Sequence, residues 1–119
     1  MSIESGAFSS CDSLTSVTIL GSDVSIGEYA FYSCDALSTL YVRATPPQIY
    51  GDTVFRYCPP DRSLVFVDEW GNPLTGDSIA LARYTYRLAE DGNTNDNYWY
   101  GWIIYRLTTP TKEDFTYNF

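Results

Sequence analysis

The 119-residue sequence lacks histidine and has little positive charge, with 7 lysine plus arginine residues against 15 aspartate plus glutamate residues. Without histidine, Ser-His-Asp and Cys-His catalysis, His-ligated zinc and the usual neutral-pH proton shuttle are excluded. The net charge of -8 repels phosphate backbones and anionic lipids, so we expect no nucleic-acid partner. Catalysis would have to rest on carboxylates, which show no pairing typical of an active site. We therefore expect that the protein is not an enzyme and uses no cofactor.

Long apolar runs are also missing, and we expect no signal peptide in this chain. The mean hydropathy is -0.19 and no run is long enough to cross a bilayer, so we expect no membrane span. The start, Met1 to Glu4, has neither the basic nor the apolar region of a signal peptide. Hydrophobic residues nevertheless make up 45% of the chain and aromatics 17%, which predicts a folded protein rather than a disordered one.

A repeat occupies the first half of the chain. Residues 3–19 read I-E-S-G-A-F-S-S-C-D-S-L-T-S-V-T-I, and residues 26–42 read I-G-E-Y-A-F-Y-S-C-D-A-L-S-T-L-Y-V, 23 residues later (8 to 31, 11 to 34, 14 to 37). A looser third copy places Phe55, Cys58, Leu64 and Phe66 24 residues after their counterparts in the second. A fixed period of this length indicates a solenoid, in which each unit covers the apolar face of the previous one. The chain begins within a repeat, so we expect either a fragment of a longer protein or a product with a minimal array.

Each of the first two copies ends in an apolar run of the form L-x-x-[VL]-x-[IV], at residues 14–19 and 37–42. We expect these runs to be strands whose apolar residues point inward and whose intervening residues point outward. One strand per repeat gives a parallel sheet. The predicted open face of that sheet carries Ser16, Thr18, Thr39, Tyr41, Ser63 and Val65.

Two side-chain columns are predicted inside the array. The phenylalanine of each copy should lie between layers of the core, and the cysteine of each copy should stack as a small hydrophobe. The cysteine count is odd and there is no C-x-x-C pair, which makes a disulfide or a metal role the less favoured alternative. The predicted structural core is Phe8, Phe31, Phe55, Cys11, Cys34 and Cys58.

The doubled motif resembles the BspA-like, treponemal-type class of leucine-rich repeats, which share its Ile-Gly, Ala-Phe, Cys and Leu-x-x-Ile-x-Ile positions. The resemblance covers residue 3 to about residue 67, although Asp61 stands where Leu14 and Leu37 predict a core leucine. We expect a mainly β fold: a short leucine-rich-repeat solenoid with a parallel sheet, then a C-terminal antiparallel β-hairpin extension. The expected domains are 1–67, with about 2.5 to 3 units, and 68–119, an extension or cap.

The C-terminal part loses the period after residue 67. Segments 79–88 and 98–107 are rich in Tyr, Trp, Thr and Ile, and we interpret them as two antiparallel strands. A helix over the first segment, capped by Asp77 or Ser78, remains the alternative. The polar run 91–97 alternates oxygen side chains but lacks the glycine and glutamate of a calcium loop, so we predict no metal site. The alternating tail, Phe115, Tyr117 and Phe119, predicts a short edge strand.

Two groups of residues are candidate ligand contacts. Aromatic residues concentrate in 98–105, where they suit protein contacts or stacking on sugars, unless one face of the strand covers the last repeat instead. On the sheet face, the resemblance implies ligand-facing positions, although a solvated sheet face carries small hydroxyls without any ligand. The candidate ligand-binding residues are Ser16, Thr18, Thr39, Tyr41, Tyr98, Trp99, Tyr100 and Trp102.

The resemblance implies a non-enzymatic protein-binding or adhesion module of a bacterial cell-surface protein. Its expected partner is an extracellular-matrix or cell-surface protein of a host, and its expected location is extracellular or at the cell surface. The alternative is a structural component of a phage virion or an envelope, in which the repeats are a scaffold and the aromatic hairpin is a subunit contact. The oligomeric state cannot be predicted from these patterns.

Overall fold

The computed structural model describes residues 2–21, 23–51, 53–90, 93 and 98–104, together with the backbone of 116–118. Most of the predicted loop 91–97, and also Tyr105, Phe115 and Phe119, lie outside the described residues. The described elements are, in chain order, β1 (Ser2–Ile3), β2 (Ser16–Ile19), β3 (Ser25–Ile26), β4 (Thr39–Val42), β5 (Gln48–Ile49), β6 (Ser63–Phe66), α1 (Asp77–Ala89), β7 (Tyr98–Trp99), β8 (Trp102–Ile103) and β9 (Thr116–Asn118).

Equivalent strands of the three copies pair in parallel, residue for residue. The inner strands β2, β4 and β6 align Val17 with Leu40 and Leu40 with Leu64, which keeps the sequence offsets of 23 and 24. The outer strands β1, β3 and β5 form a second, three-stranded parallel sheet in the same order. Every inner strand is buried along its whole length. The fold is thus mostly β, with parallel sheets built by the repeats.

The phenylalanines of the three copies stack between the two sheets. The rings of Phe8 and Phe31 lie 5.3 Å apart with planes 2° from parallel, and those of Phe31 and Phe55 lie 5.7 Å apart at 9°. Phe31, in the middle of the column, is fully buried, whereas Phe8 at its end is only partly so. Identical spacing in sequence therefore places identical side chains at the same height in successive layers.

The segments that connect outer and inner strands form an outer wall of turns, held together by backbone hydrogen bonds between layers. The N–H of Phe8 donates to the carbonyl of Ala30 over 2.7 Å, and the N–H of Phe31 donates to the carbonyl of Val54 over 3.0 Å. Bonds within one layer, such as that from the N–H of Ala7 to the carbonyl of Glu4, alternate with these, so the turn and the neighbouring layer together satisfy the backbone groups. Gly27 lies so close to the backbone of Ser5 that a Cβ would be 2.8 Å from its nitrogen, which explains the Ile-Gly position of the second copy.

Residues 79–88 form a helix, so the strand that we predicted there is wrong. The helix α1 begins after Gly76, whose φ of 62° suits glycine, and no side chain caps it. Ala82 and Tyr86, one helical turn apart, form its buried face, and Tyr86 packs edge-on against Phe66 with centroids 5.0 Å apart. Burial of Ala82 and Tyr86 outweighs the β propensity of Tyr84-Thr85-Tyr86, because a helix places every fourth residue on the same surface.

The sheet of inner strands continues beyond the repeats on both sides, in the order β7-β8-β6-β4-β2-β9. Strand β8 lies parallel to β6, and the antiparallel pair β7 and β8 is a tight hairpin. At the other edge β9 lies parallel to β2, so the predicted edge strand of the tail is present as β9. The N-terminal edge of the repeats is therefore paired with the C-terminal end of the chain.

Candidate functional site

The predicted open face of the sheet formed by β2, β4 and β6 is buried in the structure, so the prediction that solvent reaches it is wrong. Ser16 is 0% exposed, Thr18 1%, Thr39 5% and Tyr41 6%. Ser63 and Val65 on the same face are also buried, and Tyr41, Val65 and Val67 form a small apolar cluster there. Because a ligand must reach a side chain to bind it, the binding role of the face remains a prediction that requires a state in which the face is exposed.

The aromatic hairpin closes the end of the array. Trp99 and Trp102 are each 0% exposed, and the ring of Trp102 packs edge-on against Phe55 with centroids 5.2 Å apart. Trp99 also packs edge-on against Tyr86 at 5.0 Å. Of the four hairpin aromatics named as ligand contacts, Tyr98 is 37% exposed and Tyr100 is partly buried. The two tryptophans therefore cover the last repeat, the second of the two interpretations of this segment.

Arg62 fastens this hairpin to the last repeat. Its guanidinium donates to the carbonyl oxygens of Tyr100 at 2.9 Å and of Pro59 at 3.1 Å, and it lies 5.5 Å from the ring centroid of Trp102. Burial lowers the pKa of Arg62, because the charged form loses its hydration. A partly buried cation held by these contacts positions the hairpin against the last repeat.

Three tyrosines form an aromatic strip on the outer wall. The rings of Tyr29 and Tyr32 meet edge to face with centroids 5.3 Å apart, and those of Tyr32 and Tyr57 do the same at 5.4 Å. Tyr29 is 45% exposed and Tyr57 is 64% exposed. These rings come from two successive repeats, so the stacking of the layers produces the strip. We call Tyr29, Tyr32 and Tyr57 the tyrosine strip.

The backbone under the tyrosine strip has an unusual conformation. Tyr29 has a φ of 59° and Tyr57 a φ of 64°, in the left-handed region that bulky residues rarely adopt. The residue one repeat before Tyr29 is Gly6, with a φ of 70°, and the residues equivalent to Tyr57 are Ser10 and Ser33, at 60° and 57°. The repeat therefore needs left-handed residues at these two positions, and the chain places large exposed rings where smaller residues also fit.

The tyrosine strip is not among the contact residues predicted from the sequence. The signal was present, because Tyr29 and Tyr32 flank the Ala30-Phe31 pair and replace the Gly and Ser of the first copy. Which way those rings face depends on the left-handed turns, and the period alone does not show that.

Two grooves also lie on the surface of the described residues. A groove of about 400 Å³ lies where β1 and β3 meet Tyr50, and Glu4 and Glu28 make it acidic. A second groove, of about 290 Å³, is lined by Arg43, Asp68 and Glu69 among others. Across the part of the chain that the structure describes, no group of three or more Asp, Glu or Cys residues is placed to hold a metal ion. No helix among the same residues is long and apolar enough to span a membrane.

Comparison with known proteins identifies the repeats. The family model described as "BspA type Leucine rich repeat region (6 copies)" matches residues 1–69, more than half of the chain. Neither the curated proteins nor the solved structures contain a significant match. The match covers the three stacked copies, whose strands and phenylalanine column show why the motif repeats. The chain belongs to the BspA-type leucine-rich repeat family.

Proposed function

We propose that this chain is a non-enzymatic adhesion module of a cell-surface protein and that it binds a protein partner through the tyrosine strip. Leucine-rich repeats of this family suggest a protein-interaction role at a surface. In this proposal residues 1–67 are a short solenoid, residues 68–119 are its cap, and the partner is an extracellular-matrix or cell-surface protein of a host. The scaffold stays rigid, because each layer is held by its neighbours.

The observation that carries the proposal is the exposure of the Tyr29 and Tyr57 rings, both of which contact the partly buried ring of Tyr32. A tyrosine offers a large apolar area, a hydroxyl and only two side-chain torsions, which is why tyrosines are frequent at binding hot spots. The edge-to-face contacts of Tyr32 with Tyr29 and Tyr57 restrict all three rings before a partner arrives. Such preorganisation lowers the entropy lost on binding.

The left-handed backbone at Tyr29 and Tyr57 adds a second argument. Holding a bulky residue there costs about 1–3 kcal/mol, and strained residues cluster at functional sites. Gly6 shows that the first copy meets the same requirement with glycine, which adopts a positive φ without strain. Folding therefore does not require a tyrosine at position 29, whereas binding accounts for its ring.

The test replaces the tyrosines with the residues that the chain itself uses at equivalent positions. A double variant, Tyr29→Gly with Tyr57→Ser, copies Gly6 and Ser10 into the second and third repeats. The matched control is Tyr84→Ser, because Tyr84 is 57% exposed but lies on the helix α1. Binding of each chain to immobilised extracellular-matrix proteins and to host cells is measured by surface plasmon resonance and flow cytometry.

We expect the double variant to lose at least about tenfold in affinity, equivalent to roughly 1.4 kcal/mol, while the control binds as the unmodified chain does. The thermal unfolding midpoint of the double variant should not fall below that of the unmodified chain, because neither ring fills the core and the Tyr29→Gly change relieves backbone strain. Unchanged binding by the double variant, or equal loss in the control, contradicts the assignment of the tyrosine strip. A large fall in the unfolding midpoint would show instead that the rings are structural.

The candidate ligand contacts of the hairpin and of the sheet face are less accessible than the tyrosine strip. The full burial of Trp99 and Trp102 leaves them unavailable as a subunit contact, which weighs against the virion or envelope alternative. For Ser16, Thr18, Thr39 and Tyr41, a ligand role requires a second state in which the sheet face is uncovered. Tyr98 and Tyr100, which are less buried, could extend the contact area at the capped end of the array.

A further inference from the structure

The acidic groove on the outer sheet lies where one layer of the array lacks a side chain. Its lining includes Glu4, Gly27 and Tyr50. These are equivalent positions of the three copies, because each directly follows the isoleucine that ends an outer strand, and those strands pair in register. The N–H of Gly27 donates to the carbonyl of Ile3 at 2.8 Å, and the N–H of Tyr50 donates to that of Ile26 at 3.1 Å. The groove therefore has a carboxylate in the first layer, no side chain in the second and an aromatic ring in the third.

The gap at Gly27 is wide enough for a side chain from another molecule. Neighbouring strands lie about 4.8 Å apart, so the backbones at Glu4 and Tyr50, two layers apart, are separated by roughly 10 Å. A Cβ at Gly27 would lie 2.8 Å from the backbone nitrogen of Ser5, so the close approach of the layers keeps this position without a side chain. The groove measures about 400 Å³, which admits a long side chain.

A second carboxylate borders the gap. Glu28 follows Gly27, and its Oε1 lies 3.9 Å from the place that a Cβ on Gly51 would occupy. Gly51 follows Tyr50, so Glu28 extends towards the layer that carries the tyrosine ring. Glu28 is exposed, and Tyr50 is 48% exposed. The residues that line the groove include neither lysine nor arginine, so the lining itself does not compensate the two carboxylates.

We propose that the gap between Glu4 and Tyr50 takes an arginine side chain from an extended segment of a protein partner. A cation complements the charge of the groove, and the net charge of -8 steers a cationic segment towards the chain. A guanidinium donates several N–H groups at once and stacks its flat face on an aromatic ring. Glu4 and Glu28 supply the acceptors, and Tyr50 supplies the ring. The proposal does not rest on the tyrosine strip, none of whose residues lines the groove.

The chain already holds one of its own arginines in a related way. The guanidinium of Arg62 lies 5.5 Å from the ring centroid of Trp102 and donates to the carbonyl oxygens of Tyr100 and Pro59. Acceptors beside an aromatic ring therefore suit a guanidinium in this fold. In the groove the acceptors are carboxylates and the ring is exposed, so the arginine comes from outside the chain.

The test is an NMR titration of the isotope-labelled full-length chain with the peptide acetyl-Gly-Arg-Gly-amide. The comparison peptide has citrulline in place of arginine, which keeps the length of the side chain and removes its charge. Exposed ion pairs and cation–π contacts are each weak, so we expect a dissociation constant on the order of 1 mM at low salt. The largest shifts should occur at the backbone amides of Gly27, Glu28 and Tyr50, and the citrulline peptide should bind at least tenfold more weakly.

Two single substitutions test the groove residues. Glu28→Gln removes a carboxylate at nearly constant size, and Tyr50→Leu removes the ring but keeps an apolar side chain. Each should weaken binding of the arginine peptide at least threefold, with an unchanged amide spectrum away from the groove. The matched control is Glu69→Gln, which makes the same change in net charge at the second groove. An equal loss in this control would mean that net charge alone attracts the peptide, and it would overturn the proposal.

Two results with the unsubstituted chain would also overturn it. One is equal affinity for the citrulline and arginine peptides, because the groove would then not recognise charge. The other is the absence of a saturable shift at the groove amides with the arginine peptide. If calcium chloride shifts those amides and the peptide does not, the two carboxylates hold a metal ion instead.

Discussion

The thiol of Cys34 donates a hydrogen bond to the backbone carbonyl of Phe8 in the previous repeat, with sulfur and oxygen 3.0 Å apart. Cys58 repeats the contact one layer on, to the carbonyl of Phe31 at 3.3 Å. The cysteines therefore join the layers through their thiol protons. A small side chain with a weak donor at this register satisfies a carbonyl inside the wall of turns.

Thiol reactivity should differ between the cysteines. Burial raises the pKa of Cys34 to about 12, so that roughly one thiol in ten thousand is ionised at about pH 8. Cys11 is partly exposed, whereas Cys34 is fully buried. Iodoacetamide should therefore label Cys11 first, as measured by peptide mass spectrometry on the folded chain. Labelling of Cys34 at the rate of Cys11 would contradict the packing described here.

Stability should fall at alkaline pH. The pKa of Cys34 rises from 9.0 to about 12 in the folded chain, and burial also raises the pKa of Tyr86 above its ordinary 10.0. Above about pH 9 the unfolded chain releases protons that the folded chain keeps, so stability is complete below that pH and declines above it. Each group contributes at most about 1.4 kcal/mol per pH unit.

The measurement is urea unfolding between about pH 7 and pH 10.5, where the free energy of unfolding should bend downwards above pH 9. The variants Cys34→Ala and Tyr86→Phe should each show a shallower decline. A pH-independent free energy across this range, or unchanged slopes in both variants, would argue against the burial of these two groups.

Truncating the phenylalanine column should cost most at its centre. Phe31 is fully buried between two parallel rings, so Phe31→Ala should lower the free energy of unfolding by about 3–5 kcal/mol. Phe8 has a described ring neighbour on one side and is partly buried, so Phe8→Ala should cost clearly less. Denaturant unfolding of both variants gives the comparison. Equal losses would mean that the ends and the centre of the column are equivalent.

Attachment of the capping hairpin should depend on Arg62 and Gly101. A Cβ at Gly101 would collide with the guanidinium of Arg62, and the φ of 80° at Gly101 already disfavours other residues. We expect Gly101→Ala to lower the free energy of unfolding by about 1–3 kcal/mol. Arg62→Met, which keeps the apolar stem but removes the donors, should cost about 1–3 kcal/mol through the unpaired carbonyls of Tyr100 and Pro59.

Tryptophan fluorescence is the measurement that separates these two variants from general destabilisation. In a Trp70→Phe background, used because Trp70 is already 76% exposed, Trp99 and Trp102 should become accessible to acrylamide in both variants under conditions where the repeats remain folded by circular dichroism. Gly71→Ala is a matched control, since Gly71 also has a positive φ but meets no atom within 4 Å of an added Cβ. An equal gain in accessibility in that control would contradict the contact between Arg62 and the hairpin.

The stacking of the repeats could be predicted from the sequence, whereas the helix α1 and the pairing of β9 could not. The 23-residue period placed Phe8 beside Phe31, because a fixed offset fixes the register of neighbouring layers. It could not decide between a strand and a helix at α1, since Tyr84-Thr85-Tyr86 has β propensity and the contacts of Tyr86 with Phe66 and Trp99 select the helical spacing. The pairing of β9 with β2 joins residues about a hundred positions apart, and local patterns contain no information on such pairings.

The candidate site was less predictable than the fold. The alternate residues of the inner strands are typical of a solvated sheet face, yet Thr18 is 1% exposed, and the period of the repeats does not show that this face is buried. The tyrosine strip depends on left-handed residues at Tyr29 and Tyr57, positions that the sequence shows only as exchanges of Tyr for Gly or Ser.

The proposed contact surface is tested most directly by tyrosine nitration with tetranitromethane, with and without a partner found in the binding assay. In the free chain Tyr29, Tyr57 and Tyr84 should all react, since they are 45%, 64% and 57% exposed. In the complex, Tyr29 and Tyr57 should be protected at least fivefold and Tyr84 not at all. Protection of Tyr84 with full reactivity of Tyr29 and Tyr57 would contradict binding through the tyrosine strip.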